Sequence, residues 1–213
     1  MKLKQINYRL FYILRRIYRQ KTKFRYSYYK KSKSATLILA PGITVSNSFF
    51  IENNHKRFHF LNLSHTFEKQ IEWNFSKLGK LWTYNLNYFE YLLQEEINLE
   101  TSKSLIYDFI DQIEEIKDGL EPFPIALRGI NWIKFLTYHK IKEQKIDDSL
   151  YAQYAILMDN IEYHLLGNHL LENGFSLLFG GYYFADRKMY NKAKEILTKE
   201  LEEQIFQDDP DLE

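Results

Sequence analysis

The sequence has no cysteine. Disulfides, thiolate zinc sites and a catalytic thiol are therefore excluded, while the compartment stays undecided. Proline and glycine are sparse, at four and eight of 213 residues, which leaves room for long helices. No apolar run approaches the ~20 residues of a membrane span, and none resembles the uninterrupted core of a signal peptide. As written, the chain is expected in the cytoplasm; a periplasmic location would need a leader that this sequence lacks. The net charge is only +1, which argues against a general nucleic-acid binder. There is no Gly-rich phosphate loop and no G-x-S-x-G. His164 and His169 are five apart, so the H-E-x-x-H zinc spacing is missing too. No metal and no cofactor is expected.

Hydrophobic residues make up 45% of the chain and charged ones 27%, enough for one medium domain with a real core. The 17 Tyr and 16 Phe are a surplus. They could form a sugar-stacking surface, but core is the commoner explanation, because rings bury large areas. Charge is unevenly placed. Residues 15–33 hold nine Lys or Arg and no acid. Residues 6–20 read as a helix with Leu10, Ile13, Leu14 and Ile17 on one side, and 21–35 as a linker. This basic N-terminal unit, residues 1–35, fits a packing helix, a solvated arm or a helix lying on an anionic membrane surface.

Residues 36–66 change rhythm. Thr36 to Leu39 is a short apolar run, Pro41-Gly42 breaks it, and Phe58, Phe60, Leu61 and Leu63 follow. Two or three short strands are predicted there. From about residue 85 the pattern is helical. Leu105, Phe109, Ile113 and Ile116 repeat at helix spacing, with a stop at Gly119. Further helices are predicted over 125–143, 149–166 (started by Asp147, Asp148 and Ser149), 169–184 and 187–207. Short links favour helix hairpins, giving an α/α bundle, solenoid or toroid.

Three segments could carry chemistry. TYNLNYFEYL (83–92) packs Tyr84, Asn85, Asn87 and Tyr88 together, as a sugar platform or as an aromatic helix start with Asn caps. In EPFPIALRGINWIKFL (121–136), Arg128, Asn131, Trp132 and Phe135 share a helix face. That face suits an acidic sugar, since a guanidinium grips a carboxylate with two bonds. An Arg paired internally with Glu121 or Glu162 fits equally. In EYHLLGNHLLENGFSLLFGG (162–181), His169, Glu172, Asn173 and Ser176 form a polar stripe on an apolar helix. Such a stripe is either a satisfied network or a site. Asn168 is a helix cap or a functional amide.

Together, LWTYNLNYFEYL, EPFPIALRGINWIKFL and EYHLLGNHLLENGFSLLFGGYYF resemble the N-terminal domain of the heparinase II/III family of polysaccharide lyases, most specifically at GNHLLEN. The resemblance implies a mainly α fold: an incomplete α/α toroid of antiparallel helix hairpins over 67–213. It also implies an acidic polysaccharide as partner, cleaved at uronic acid by β-elimination. Asn168 would neutralise the uronate carboxylate. His169 would be the base or a second donor. Arg128, Asn131, Trp132, Tyr84 and Asn173 would bind substrate. In the family a catalytic tyrosine follows in a segment that this sequence does not contain, with more toroid helices and a β-sandwich. The chain alone is therefore expected to turn over little substrate, and its uncovered apolar faces invite self-association. A non-catalytic glycan-binding or capsule-assembly module is the alternative.

Overall fold

The computed structural model describes residues 3–21, 26, 29–30, 34–40, 42–45, 49–52, 55–95, 97–165 and 167–205. Among them the chain is mainly helical, with one small sheet. The predicted first helix is present as α1 (Leu3–Lys21). Most of the predicted linker, 21–35, lies outside the described residues.

The strand region forms an antiparallel meander of β1 (Phe50–Glu52), β2 (Lys56–Phe60) and β3 (Leu63–Phe67). Phe60 pairs with Leu63 across a two-residue turn, Leu61-Asn62, in which both residues have positive φ. That is the hairpin geometry that matches strand twist. Side-chain alternation turns Phe58 and Phe60 inward together with Phe50 and Phe67. These rings meet Tyr91 and Trp82: Phe58 lies 5.1 Å from Tyr91 and Phe60 lies 5.3 Å from Trp82, both edge to face. The open edge of β1 is covered by the Gln94 amide, which accepts from Phe50 N at 2.9 Å and donates to Phe50 O at 2.7 Å. Thr36 to Leu39 forms no strand; beside it, Ala35 N donates to the Tyr183 carbonyl.

The helices are α2 (Lys80–Tyr88), α3 (Leu99–Gln112), α4 (Pro122–Tyr138), α5 (Gln144–Asp159), α6 (Asn168–Tyr183) and α7 (Arg187–Ile205), with a 3-10 turn at Glu90–Leu93. Three boundaries differ from expectation. α3 stops at Gln112, seven residues before Gly119, in a turn where Ile116 N bonds back to Ile113 O. α4 starts at Pro122, since proline loses nothing in a first turn, and ends where Lys140 turns left-handed. α5 runs from Gln144 to Asp159, not 149–166. Asp147 is therefore buried inside its first turn, accepting from the Tyr183 hydroxyl and from Ser34.

α4 is the hub. It touches α2, α5, α6 and the 3-10 turn, while α6 packs along α7. Several close approaches need glycine, two of them at backbone or at a positive φ. A Cβ on Gly181 would lie 2.8 Å from the Tyr190 backbone nitrogen, so the α6–α7 spacing admits no side chain there. Gly119 has φ +119°, and a Cβ would lie 2.5 Å from the Asn87 side chain.

Rings dominate the interior. All three tryptophans are fully buried. Trp73 stacks on Phe89 at 5.0 Å, and Phe89 meets Trp132 edge to face at 5.3 Å. Among them lies a fully buried charge, Arg128. Its guanidinium donates to Gln153 Oε1 (2.6 Å), Asn87 O (2.9 Å) and Gly119 O (3.0 Å), and sits 4.5 Å from the Phe109 ring centroid. Burial pulls its pKa down to about 9, still well above neutral, so the charge persists at pH 7.

Arg128→Ala should cost about 3–5 kcal/mol in urea unfolding, because three buried acceptors lose their donor. Arg128→Lys should restore little, since an ammonium cannot reproduce the fork. A loss below about 1 kcal/mol for the alanine variant would show that the guanidinium does not hold these elements together.

Candidate functional site

A cleft of about 660 Å³ opens where the N-terminal ends of α4 and α6 meet the α5–α6 loop, α2 and α1. One wall carries Tyr84 from α2 with Glu121, Pro122, Phe123 and Pro124 from the start of α4. The loop contributes Asn160, Glu162, His164 and Leu165, and α6 contributes His169. The far wall is Tyr12, Ile13 and Arg15 of α1, with Tyr26. Helix N-termini carry partial positive charge, which favours an anionic ligand.

The centre of the cleft is a carboxylate–imidazole pair. Glu162 is almost buried, and its Oε2 lies 3.3 Å from His169 Nδ1. Asn173 holds Glu162 at two points: its Oδ1 accepts from Glu162 N at 3.0 Å, and its Nδ2 donates to the carboxylate Oε2 at 3.3 Å. Burial raises the Glu162 pKa, with His169 and Asn173 opposing that rise. The His169 side chain stays 46% exposed, tilted over the Phe123 ring at 4.4 Å. When the carboxylate is ionised it accepts from Nδ1–H, which leaves Nε2 as the atom able to take or give a proton.

A second carboxylate braces the α2 wall. Glu121 accepts from Gly119 N at 2.6 Å and from the Tyr84 hydroxyl at 2.9 Å, and lies 3.0 Å from Lys80 Nζ. Burial works against its ionisation, but the bonds from Gly119, Lys80 and Tyr84 hold its pKa below the usual value. The Tyr84 hydroxyl is raised, chiefly by burial. On the α1 wall Arg15 donates to Asn160 Oδ1 at 3.1 Å and lies 3.8 Å from Asp159.

Compared with known proteins, the chain matches no family model, no curated protein and no solved structure. The function must therefore be argued from the cleft itself.

Of the residues singled out in the sequence, His169 and Tyr84 line the cleft. Asn168 is exposed in the first turn of α6, outside the cleft lining, and the residue at the cap position is Gly167. Arg128, Asn131, Trp132 and Asn173 are interior residues and do not line it. The expectation that they touch substrate is corrected. Arg128 directs Nε at Gln153 and Nη1 at two main-chain carbonyls, and its Nη2 is buried without a hydrogen-bond partner. Asn131 donates to Tyr88 O at 2.9 Å. Trp132 is packed between Phe89 and Phe109. Asn173 acts through Glu162. The expected internal pairing of Arg128 with Glu121 or Glu162 is also replaced, since both carboxylates serve other partners. Of the aromatic segment, Asn85 and Asn87 bond helix and loop carbonyls and are not caps.

Glu162 as a cleft carboxylate, Tyr12 and Arg15 carried no usable sequence signal. The loop between Glu162 and His169 breaks helical periodicity, and Tyr12 meets Ile161 across 149 residues of chain. Among the described residues no group of three or more His, Cys, Asp or Glu is placed to hold a metal ion.

The raised Glu162 pKa has a sign. Stability from the neutral carboxyl is fully present below its ordinary value of 4.5 and is lost as pH rises through the folded value. Glu162→Gln, made in a His169→Gln background so that loss of the imidazole contact is common to both proteins, should gain Tm relative to its parent between about pH 4 and pH 7. A Tm difference that shrinks or stays flat across that range would mean the carboxyl is not strained by burial.

Proposed function

We propose that this chain is the N-terminal helical part of a lyase acting on uronic-acid polysaccharides, with the cleft at the α4 and α6 N-termini as its acidic-sugar site. The observation that carries this is the Glu162–His169 pair: a half-exposed imidazole, oriented by a buried carboxylate, lining a cleft beside two helix N-termini and Arg15. The order of helix contacts supports a toroid-like plan. α2, α4 and α6 adjoin in succession, α3 adjoins α5, and α4–α5 and α6–α7 form the linking pairs.

The chemistry follows from the uronate. Its C5 proton is weakly acidic, because its removal places charge on the adjacent carboxylate. His169 Nε2 takes that proton, the electron pair forms the C4–C5 double bond as the C4–O bond breaks, and the glycosidic oxygen leaves with the proton that His169 Nε2 then hands on. Arg15 and the helix ends favour the anionic ring. Phe123 and Tyr84 supply ring surface for sugar C–H faces.

A second reading, a glycan-binding module without turnover, is favoured by one placement. Asn168, the expected carboxylate neutraliser, stands outside the cleft lining. Binding needs no such group, whereas elimination does.

Titration calorimetry with uronate and neutral oligosaccharides, with ultraviolet absorbance of the unsaturated product followed in parallel, separates these readings. Uronate oligosaccharides should bind, and His169→Ala and Arg15→Ala should each weaken binding at least tenfold, about 1.4 kcal/mol. Unsaturated product that disappears in His169→Gln supports the lyase. Binding without product, both from this chain and from one extended through the further toroid helices that the lyase reading calls for, supports the module. Equal binding of neutral and acidic sugars, or none, overturns both.

A further inference from the structure

The N-terminal helix docks by its polar face. In α1, Ile6, Leu10, Ile13, Leu14 and Ile17 recur at steps of three and four and form one apolar stripe. A helix packed on a protein body ordinarily turns such a stripe inward. Here Tyr8, Tyr12 and Arg15 make the contacts. Tyr8 stacks on Tyr163 at 4.9 Å, the Tyr12 hydroxyl donates to Ile161 O, and Arg15 bonds Asn160 at 3.1 Å. The five stripe residues keep 45–59% of their surface exposed, although Ile13 also edges the cleft; Phe11 and Tyr18 extend the exposed face.

Charge selects the occupant. Residues 1–51 contain twelve Lys or Arg and no Asp or Glu, and Arg9 is exposed on α1. A second copy would bring two acid-free basic helices together. The stripe also spans only about two heptads, short of the three to four that a coiled coil sustains. An anionic bilayer meets both demands: apolar residues sink to the headgroup–acyl boundary, and basic residues neutralise headgroups. No helix among the described residues is long and apolar enough to cross a membrane, so the helix would lie in the surface.

We propose that α1 docks this protein on anionic lipid bilayers through the stripe Ile6, Leu10, Ile13, Leu14 and Ile17. The protein body sits against the opposite face of the helix, so docking needs no rearrangement. The inference does not rest on the glycan reading of the cleft.

Flotation of the whole chain with vesicles tests it, using phosphatidylcholine alone or with about one third phosphatidylglycerol. Anionic vesicles should capture the protein at least ~10-fold better than neutral ones, and added salt should weaken capture. The double variant Leu10→Asp/Leu14→Asp should lose at least ~10-fold at unchanged Tm, because neither side chain packs on the body. Arg9→Glu, an exposed change, should reduce capture by a smaller factor. Absence of capture, equal capture by neutral vesicles, or undiminished capture of the double variant overturns the proposal. So does a dimer in sedimentation velocity that the double variant abolishes while vesicles capture nothing; that outcome assigns the stripe to a second copy.

Discussion

The Arg128 guanidinium lies wholly inside the protein and binds main-chain carbonyls and an amide, not a carboxylate. Each partner belongs to a different element: the end of α2, the turn at Gly119, and α5. A buried charge costs stability where a donor goes unpaired, as Arg128 Nη2 does, so its value lies in the geometry that Nε and Nη1 enforce. With the Gly119 carbonyl fixed by Arg128, the Gly119 N–H is presented to Glu121. Glu121 in turn holds Tyr84 and Lys80. One cleft wall is thus built outward from an interior charge, and the positive φ of Gly119 is what lets its N–H and carbonyl serve both sides.

The other wall follows the same logic with a different interior residue. Asn173 is fully buried and bonds both the main-chain N–H of Glu162 and its Oε2, the same oxygen that faces His169 Nδ1. The imidazole is half exposed while its orienting groups are not. A proton-handling group gains most from that division. Its reactive nitrogen meets the solvent or ligand, and the groups fixing its tautomer are shielded from competition by water.

Much of this fold was legible in the sequence, for identifiable reasons. Helix existence followed from apolar spacing, and the strands from the alternation around Phe58 and Phe60. Boundaries failed where tertiary partners decided them. Asp147 reads as a helix starter, yet Tyr183 and Ser34 occupy its carboxylate and α5 begins three residues earlier. The site was half legible. His169 stands out at a helix start, and Arg128 stands out as a cation on an apolar face. Sequence pattern cannot tell a cation facing a ligand from one facing carbonyls. Burial separates them, and burial depends on α2, α3 and α5 closing over Arg128. Tyr12 and Arg15 were illegible because α1 reaches the cleft only through long-range contacts.

The orientation of α1 follows from the same competition. Its polar face carries two tyrosines and an arginine that find a carbonyl, an amide and a ring on the α5–α6 loop. Those directional bonds specify one docking pose. Burial of Tyr12 raises its hydroxyl pKa to about 12, so it stays a donor to Ile161 across ordinary pH. The stripe is then left outward as a consequence of specificity, and it is exposed beside a cleft whose own wall includes Tyr12 and Arg15. Whatever covers the stripe therefore acts on a helix that also shapes the site.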